Sequence, residues 1–109
     1  MIDQTREGDV PVVALRGELD MDGSPRLREA LLDAIGEGGC RVVVDLEGLE
    51  FIDSAGLGVL VGGLKRARTT GGDLVLVCTG RNVLKVFEVT GLTRVFEIHS
   101  TREDAIGAG

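Results

Sequence analysis

Few residues of this chain carry chemistry on their own: two cysteines and one histidine among 109 residues, with no tyrosine or tryptophan. Cys40 and Cys78 belong to no C-x-x-C pattern, and with a lone histidine they do not make a recognisable four-ligand zinc centre, so no metal or cofactor is expected. Each flanks an apolar run, where a free thiol behaves as a small hydrophobe. The segment that stands out is Phe51-Ile52-Asp53-Ser54-Ala55-Gly56-Leu57-Gly58, where the chain leaves a strand region and enters a helix. Ser54 occupies the natural N-cap position of that helix, and the plainest reading is that it only caps.

Three chemistries compete with capping at Ser54. A nucleotide cradle is suggested by Gly56, Gly58 and Gly62, but G-x-G-x-x-G requires its third glycine where Val61 stands, and no Walker lysine follows. A serine hydrolase is suggested by the order Ser54, Asp73, His99. The nucleophile elbow needs glycine two places before the serine, where Ile52 stands, and Asp73 begins a strand at the wrong end of a sheet. The third reading makes Ser54 a substrate. A hydroxyl flanked by the small residues Ala55 and Gly56 admits the γ-phosphate of ATP without a steric block. Nothing in the sequence supplies a Mg²⁺ site or a nucleotide cradle, so the kinase is another protein, and the chain itself is not expected to be an enzyme.

The elements that position this serine follow from periodicity. Val10 to Arg16, Arg41 to Leu46 and Asp73 to Cys78 are rich in β-branched residues, with Arg94 to Ile98 a weaker fourth run. Val42-Val43-Val44 and Leu74-Val75-Leu76-Val77 are apolar without alternation, the mark of parallel strands buried on both faces. An opening strand over Ile2 to Arg6, turning at Gly8-Asp9, predicts an antiparallel hairpin with Val10 to Arg16. Leu27, Ala30, Leu31, Ala34 and Ile35 give one helical face, with Ser24 as cap, Pro25 at the first helical position and Gly36, Gly38 and Gly39 as its end. Leu57, Leu60, Val61, Leu64 and Ala67 give a second, closed by Lys65, Arg66 and Arg68, whose charges suit a helix C-terminus.

Val83, Val86 and Phe87 give a third face, from a cap at Asn82, and Ser100-Thr101-Arg102-Glu103 has capping-box spacing for a short last helix. The expected fold is a small α/β sandwich: a mixed, mostly parallel sheet of four to five strands with about four helices, in the order β-β-α-β-α-β-α-β-α. Cys40 then starts one strand and Cys78 ends its neighbour, on the order of 15 Å apart and too far to bridge. Asp45 is expected at a strand end with a hydrogen-bond partner, Glu18 and Glu47 in solvent, and His99 on the surface after the last strand.

Size and charge limit the partners. Residues 1–109 fit one domain, and Leu, Ile, Val and Phe make up 36 of them, enough to fold. No apolar stretch approaches the ~20 residues of a membrane span, and no secretory signal opens the chain, so a cytoplasmic location is expected. Twelve bases against 18 acids give a net charge of −6, the wrong sign for nucleic acid. The excess of acids is concentrated in residues 1–64, a pattern that suits a basic protein partner and equally serves solubility.

Asp53-Ser54-Ala55-Gly56-Leu57-Gly58 resembles the phosphorylation motif of the anti-sigma factor antagonists, the bacterial STAS domains. Gly17-Glu18-Leu19-Asp20 resembles that family's first signature, and Val89-Thr90-Gly91-Leu92 its third-helix ending; the resemblance runs from about Val10 to Ile106. It implies that the unphosphorylated protein binds an anti-sigma factor that is also a serine kinase and holds the ATP, and so frees a sigma factor. It also implies that phosphorylation at Ser54 breaks the complex and that a PP2C-type phosphatase resets it. Asp20 matches an aspartate on the partner-facing surface, and Asp53 the acid before the phosphoacceptor. Asp22, Asp53, Ser54, Ala55, Gly56 and Leu57 join Asp20 in the expected partner surface. Ala55 stands where some members carry a second serine, which leaves Ser54 as acceptor. The alternative within the same fold is a STAS domain that senses a small ligand or nucleotide, or serves in a stress-signalling assembly.

Overall fold

Residues 1–36 and 40–107 are described by a computed structural model, in which the apolar runs become a single sheet. The elements are β1 (Ile2–Glu7), β2 (Val10–Leu19), α1 (Ser24–Ile35), β3 (Arg41–Ile52), α2 (Ser54–Thr69), β4 (Asp73–Val77), α3 (Arg81–Val89), a 3-10 turn (Leu92–Arg94), β5 (Glu97–His99) and α4 (Arg102–Gly107). The spatial order is β1-β2-β3-β4-β5. The β1–β2 hairpin is antiparallel and the other pairs are parallel, as the unbroken Val42–Val44 and Leu74–Val77 runs require.

Alternation along the strands divides the core. Val13, Leu15, Val42, Val44, Leu74 and Leu76 face Leu27 and Leu31 of α1, Leu60 and Leu64 of α2, and Val83 and Phe87 of α3. Val12, Val43, Val75 and Val77 face the other way and pack with Ala105 of α4. Asp45 lies in β3, where Arg102 Nε donates to its Oδ2 at 2.6 Å, while Arg102 Nη1 donates to Glu7 at 3.1 Å. This guanidinium ties the short α4 to β3 and β1. Asp45 is the last β3 residue paired with β4, yet the strand continues seven residues beyond it.

That continuation corrects the expected end of the strand at Leu46. Between Ala14↔Asp45 and Arg16↔Gly48 the third strand advances three residues for two of β2, and between Gly17↔Leu49 and Glu18↔Phe51 it advances two for one. With these two bulge-like shifts β3 keeps its pairing with β2 beyond the apolar run that begins it. A Cβ at Gly48 would sit 2.6 Å from Arg16 Cγ and 3.1 Å from the Leu15 carbonyl oxygen, so the close approach there requires glycine.

Several expected boundaries shift. Ser24 is the first helical residue, with Gly23 at the N-cap, and its Oγ donates to the Asp20 carbonyl at 2.8 Å. Gly36 closes α1 at a φ of 58°; Gly38 and Gly39 lie outside the described residues. Gly80, not Asn82, precedes α3, and its carbonyl accepts from the Leu84 amide. Thr101, one place after Ser100, caps α4 by accepting from the Asp104 amide at 3.1 Å. Residues 94–96 are not strand: the chain turns at Gly91 (φ 77°) and through the 3-10 turn, which brings Phe96 edge-on to Phe87 at 5.7 Å. The strand forms over Glu97–His99 instead, and His99 is its half-buried last residue, with Nε2 3.0 Å from Glu97.

Candidate functional site

The site is built where the β2–β3 ribbon ends and two helices begin. The Asp53 amide donates to the Leu19 carbonyl, which holds the end of β3 beside the end of β2. Asp53, not Ser54, is the N-cap of α2: its backbone is extended and its Oδ1 accepts from the Gly56 amide at 2.9 Å. A carboxylate there satisfies one of the free amides of the first turn and complements the positive end of the helix. Ser54 is thereby displaced into the first turn with an exposed side chain.

Gly56 lies buried beneath the serine. A Cβ there would be 2.9 Å from Leu19 Cδ2 and Cγ and 3.0 Å from Ile52 Cγ1, so its missing side chain seats the helix start on the strand ends. It supports the start of the helix from below. Ala55 and Leu57 are half-buried, Leu57 against the core.

Asp20 shapes the facing turn. Its Oδ1 accepts from the amides of Asp22 and Gly23, both at 3.1 Å, and its carbonyl accepts from Ser24. Asp20 is half-buried and committed to the turn, whereas Met21 and Asp22 project into solvent. Glu47, expected in solvent, accepts from the amide and hydroxyl of Thr79 at 2.8 and 2.7 Å, bracing the bulged ribbon against the loop after β4. These two residues are 32 positions apart, and no sequence pattern announces the contact.

The groups of the rejected hydrolase are not brought together. Asp73 starts β4, while His99 ends β5, two strands from β3, and bonds to Glu97. Among the described residues no group of three or more His, Cys, Asp and Glu side chains is placed to hold a metal. Cys40 and Cys78 are both free thiols; burial, and secondarily the charge of Glu47, push the Cys78 thiol above its ordinary value. An open cleft of about 720 Å³ lies between β1, β2 and α1. Its rim carries Arg16 and Arg26 together with Glu18, Glu29 and Asp33, so it presents no field of one sign for a nucleotide's phosphates. A smaller groove of about 390 Å³ runs between α1 and α2, lined by Arg28, Leu31, Ala55, Gly58 and Gly62.

The two chain stretches that carry the site are acidic, while Arg28 of α1 lines the groove it shares with Ala55 and Gly58. Residues 17–24 contribute Glu18, Asp20 and Asp22, and residues 42–64 contribute Asp45, Glu47, Glu50 and Asp53, with no lysine or arginine in either stretch. Two large apolar side chains are exposed among these acids, Met21 at 73% and Phe51 at 50%. Neither is among the partner-surface residues expected from the sequence.

Known proteins are similar to this chain in sequence and in fold. The chain is 33% identical over 100 residues to an anti-sigma-B factor antagonist of Bacillus subtilis, covering 92% of this chain and 90% of that one. The crystal structure of an anti-sigma factor antagonist from Mycobacterium paratuberculosis superposes with a TM-score of 0.89 at 28% identity, over 99% of this chain and 92% of the other. The phosphorylated form of the Bacillus cell fate determinant SpoIIAA superposes with a TM-score of 0.73 at 25% identity, over 99% and 98% of the two chains. Residues 1–105 match the STAS domain family throughout, and with the mixed five-stranded sheet and the Asp53-Ser54 helix start in place, the chain belongs to that family.

Proposed function

We propose that this chain is an anti-sigma factor antagonist switched at Ser54, with residues 1–109 acting as one STAS unit in the cytoplasm. Unphosphorylated, it binds an anti-sigma factor that is also a serine kinase and so frees a sigma factor. The kinase holds the ATP and transfers the γ-phosphate to Ser54 Oγ, and a PP2C-type phosphatase removes it. The chain is a binding module and a phosphotransfer substrate rather than an enzyme. The observation that supports this most is the division of labour at the start of α2: Asp53 caps the helix, and Ser54 beside it is an exposed residue free of the cap.

A phosphate at Ser54 adds roughly −1.5 to −2 charge. The helix dipole and the free first-turn amides tolerate it, so the fold stays intact. The docked complex does not tolerate it, because the new charge joins Asp53, Asp20 and Asp22 in a surface from which the partner has removed water. An uncompensated charge of that kind costs about 3–5 kcal/mol, roughly two to three and a half orders of magnitude in Kd.

The test is incubation with each anti-sigma factor kinase encoded in the same genome and Mg-ATP. One phosphate on the intact mass, mapped to Ser54, supports the reading. Phosphate on another residue, or none with any kinase, overturns it. Covalent labelling of Ser54 by a fluorophosphonate without a kinase would favour hydrolase chemistry instead.

A further inference from the structure

The acids around Ser54 explain release but supply little affinity, because exposed charge pairs contribute weakly to binding. Resting on the reading above, we infer that Phe51 and Met21 are the apolar anchors of this docking surface, and that it fits a protein face whose apolar pockets are rimmed by arginine and lysine. Aromatic residues and methionine are enriched in interfaces, and a few buried anchors carry most of the energy of association.

Both side chains are held in place before any partner arrives. Phe51 lies opposite Glu18 in the β2–β3 ribbon, one residue before the buried Ile52 and just past the second bulge of β3. The bulge places Phe51 outward while Leu49 and Ile52 on either side remain in the core. Met21 is at the tip of the turn that Asp20 Oδ1 fixes through the Asp22 and Gly23 amides. The Asp53 to Leu19 hydrogen bond joins the strand ends that carry the two anchors. Acids flank each: Glu50 and Asp53 bracket Phe51, and Asp20 and Asp22 bracket Met21. Since acids bracket both anchors, a partner that buries them is best matched by positive charge at its rim.

Val89, at 76% exposure, is as open as either anchor but lies on α3 near both Lys85 and Glu88. It is not bracketed by acids and serves as the control position.

The experiment measures Kd for the kinase that labels Ser54, with ADP present, at low and high salt. Phe51→Ala is expected to raise Kd about tenfold or more and Met21→Ala about threefold or more, with Val89→Ala unchanged. High salt is expected to weaken wild-type binding. Maximal phosphorylation rate at saturating antagonist stays within about twofold of wild type, since the anchors act on binding and not on phosphotransfer. Where Phe51→Ala lowers the folded fraction by circular dichroism, Met21→Lys carries the test, with a rise in Kd of about tenfold expected from its repulsion of the basic rim. Anchor variants that bind like wild type while Ser54→Asp does not bind overturn the anchors and leave the switch standing. A wild type that no kinase binds or labels overturns the switch and the anchors with it.

Discussion

Asp53 Oδ1 accepts the amide hydrogen of Gly56 at 2.9 Å, and this one bond relieves Ser54 of any capping duty. The stabilities of the two single variants therefore diverge. Asp53→Ala is expected to cost about 1 kcal/mol and Ser54→Ala less than about 0.5 kcal/mol, read from urea unfolding. Equal losses would mean that the serine shares the cap.

At the interface the same serine dominates. Ser54→Asp is expected to fold like wild type and to lose the kinase by about two orders of magnitude in Kd. Ser54→Ala is expected to bind but to stay bound when Mg-ATP is added. Titration calorimetry with the cognate kinase measures both, and an Asp variant that binds like wild type would sink the electrostatic account.

Glycines two residues apart in α2 respond oppositely to alanine. Gly56→Ala forces a methyl group to within 3 Å of Leu19 and Ile52 and is expected to destabilise by about 1–3 kcal/mol. Gly58 has open space around its missing Cβ, so Gly58→Ala is expected to stabilise by about 0.4–1 kcal/mol through helix propensity and reduced unfolded-state freedom. Paired thermal melts of the two variants decide this.

The C-terminal helix depends on one guanidinium. Arg102 meets Asp45, whose side chain is 13% exposed, and also Glu7, and both partners hold its pKa above the ordinary arginine value against the cost of burial. Arg102→Ala is expected to cost about 1–2 kcal/mol after allowance for its own partial exposure. Hydrogen exchange should then rise first in α4 and in the strand segments it covers. Arg102→Lys keeps the charge but not the two-sided fork, so it recovers only part of the loss.

The Cys78 thiol is pushed up by burial, with Glu47 adding to the effect. A raised thiol pKa means less thiolate at a given pH, and thiolate is the reactive form. Iodoacetamide at about pH 8 is therefore expected to spare Cys78 in the folded protein and to modify it after unfolding in guanidinium, with reaction growing as pH rises toward the elevated pKa. Peptide mass mapping reads the site; rapid modification of native Cys78 would contradict its burial.

Sequence by itself determined the order of elements, the parallel core and the candidate serine, because these depend on local period and on short motifs. Val42–Val44 and Leu74–Val77 declare burial on both faces, and the Asp53 to Gly58 segment declares a strand-to-helix turn. The tertiary structure alone decided which residue caps α2, because Asp53 and Ser54 are both good caps and the choice rests on how the Asp53 amide is held by Leu19. It also decided that β3 runs on to Ile52, since the strand stays paired with β2 through two shifts of register past the apolar run that begins it. The exposure of Phe51 and the partners of Glu47 and Asp45 came from the same source. Such contacts join residues far apart in the chain, and only the packed sheet brings them within hydrogen-bond reach.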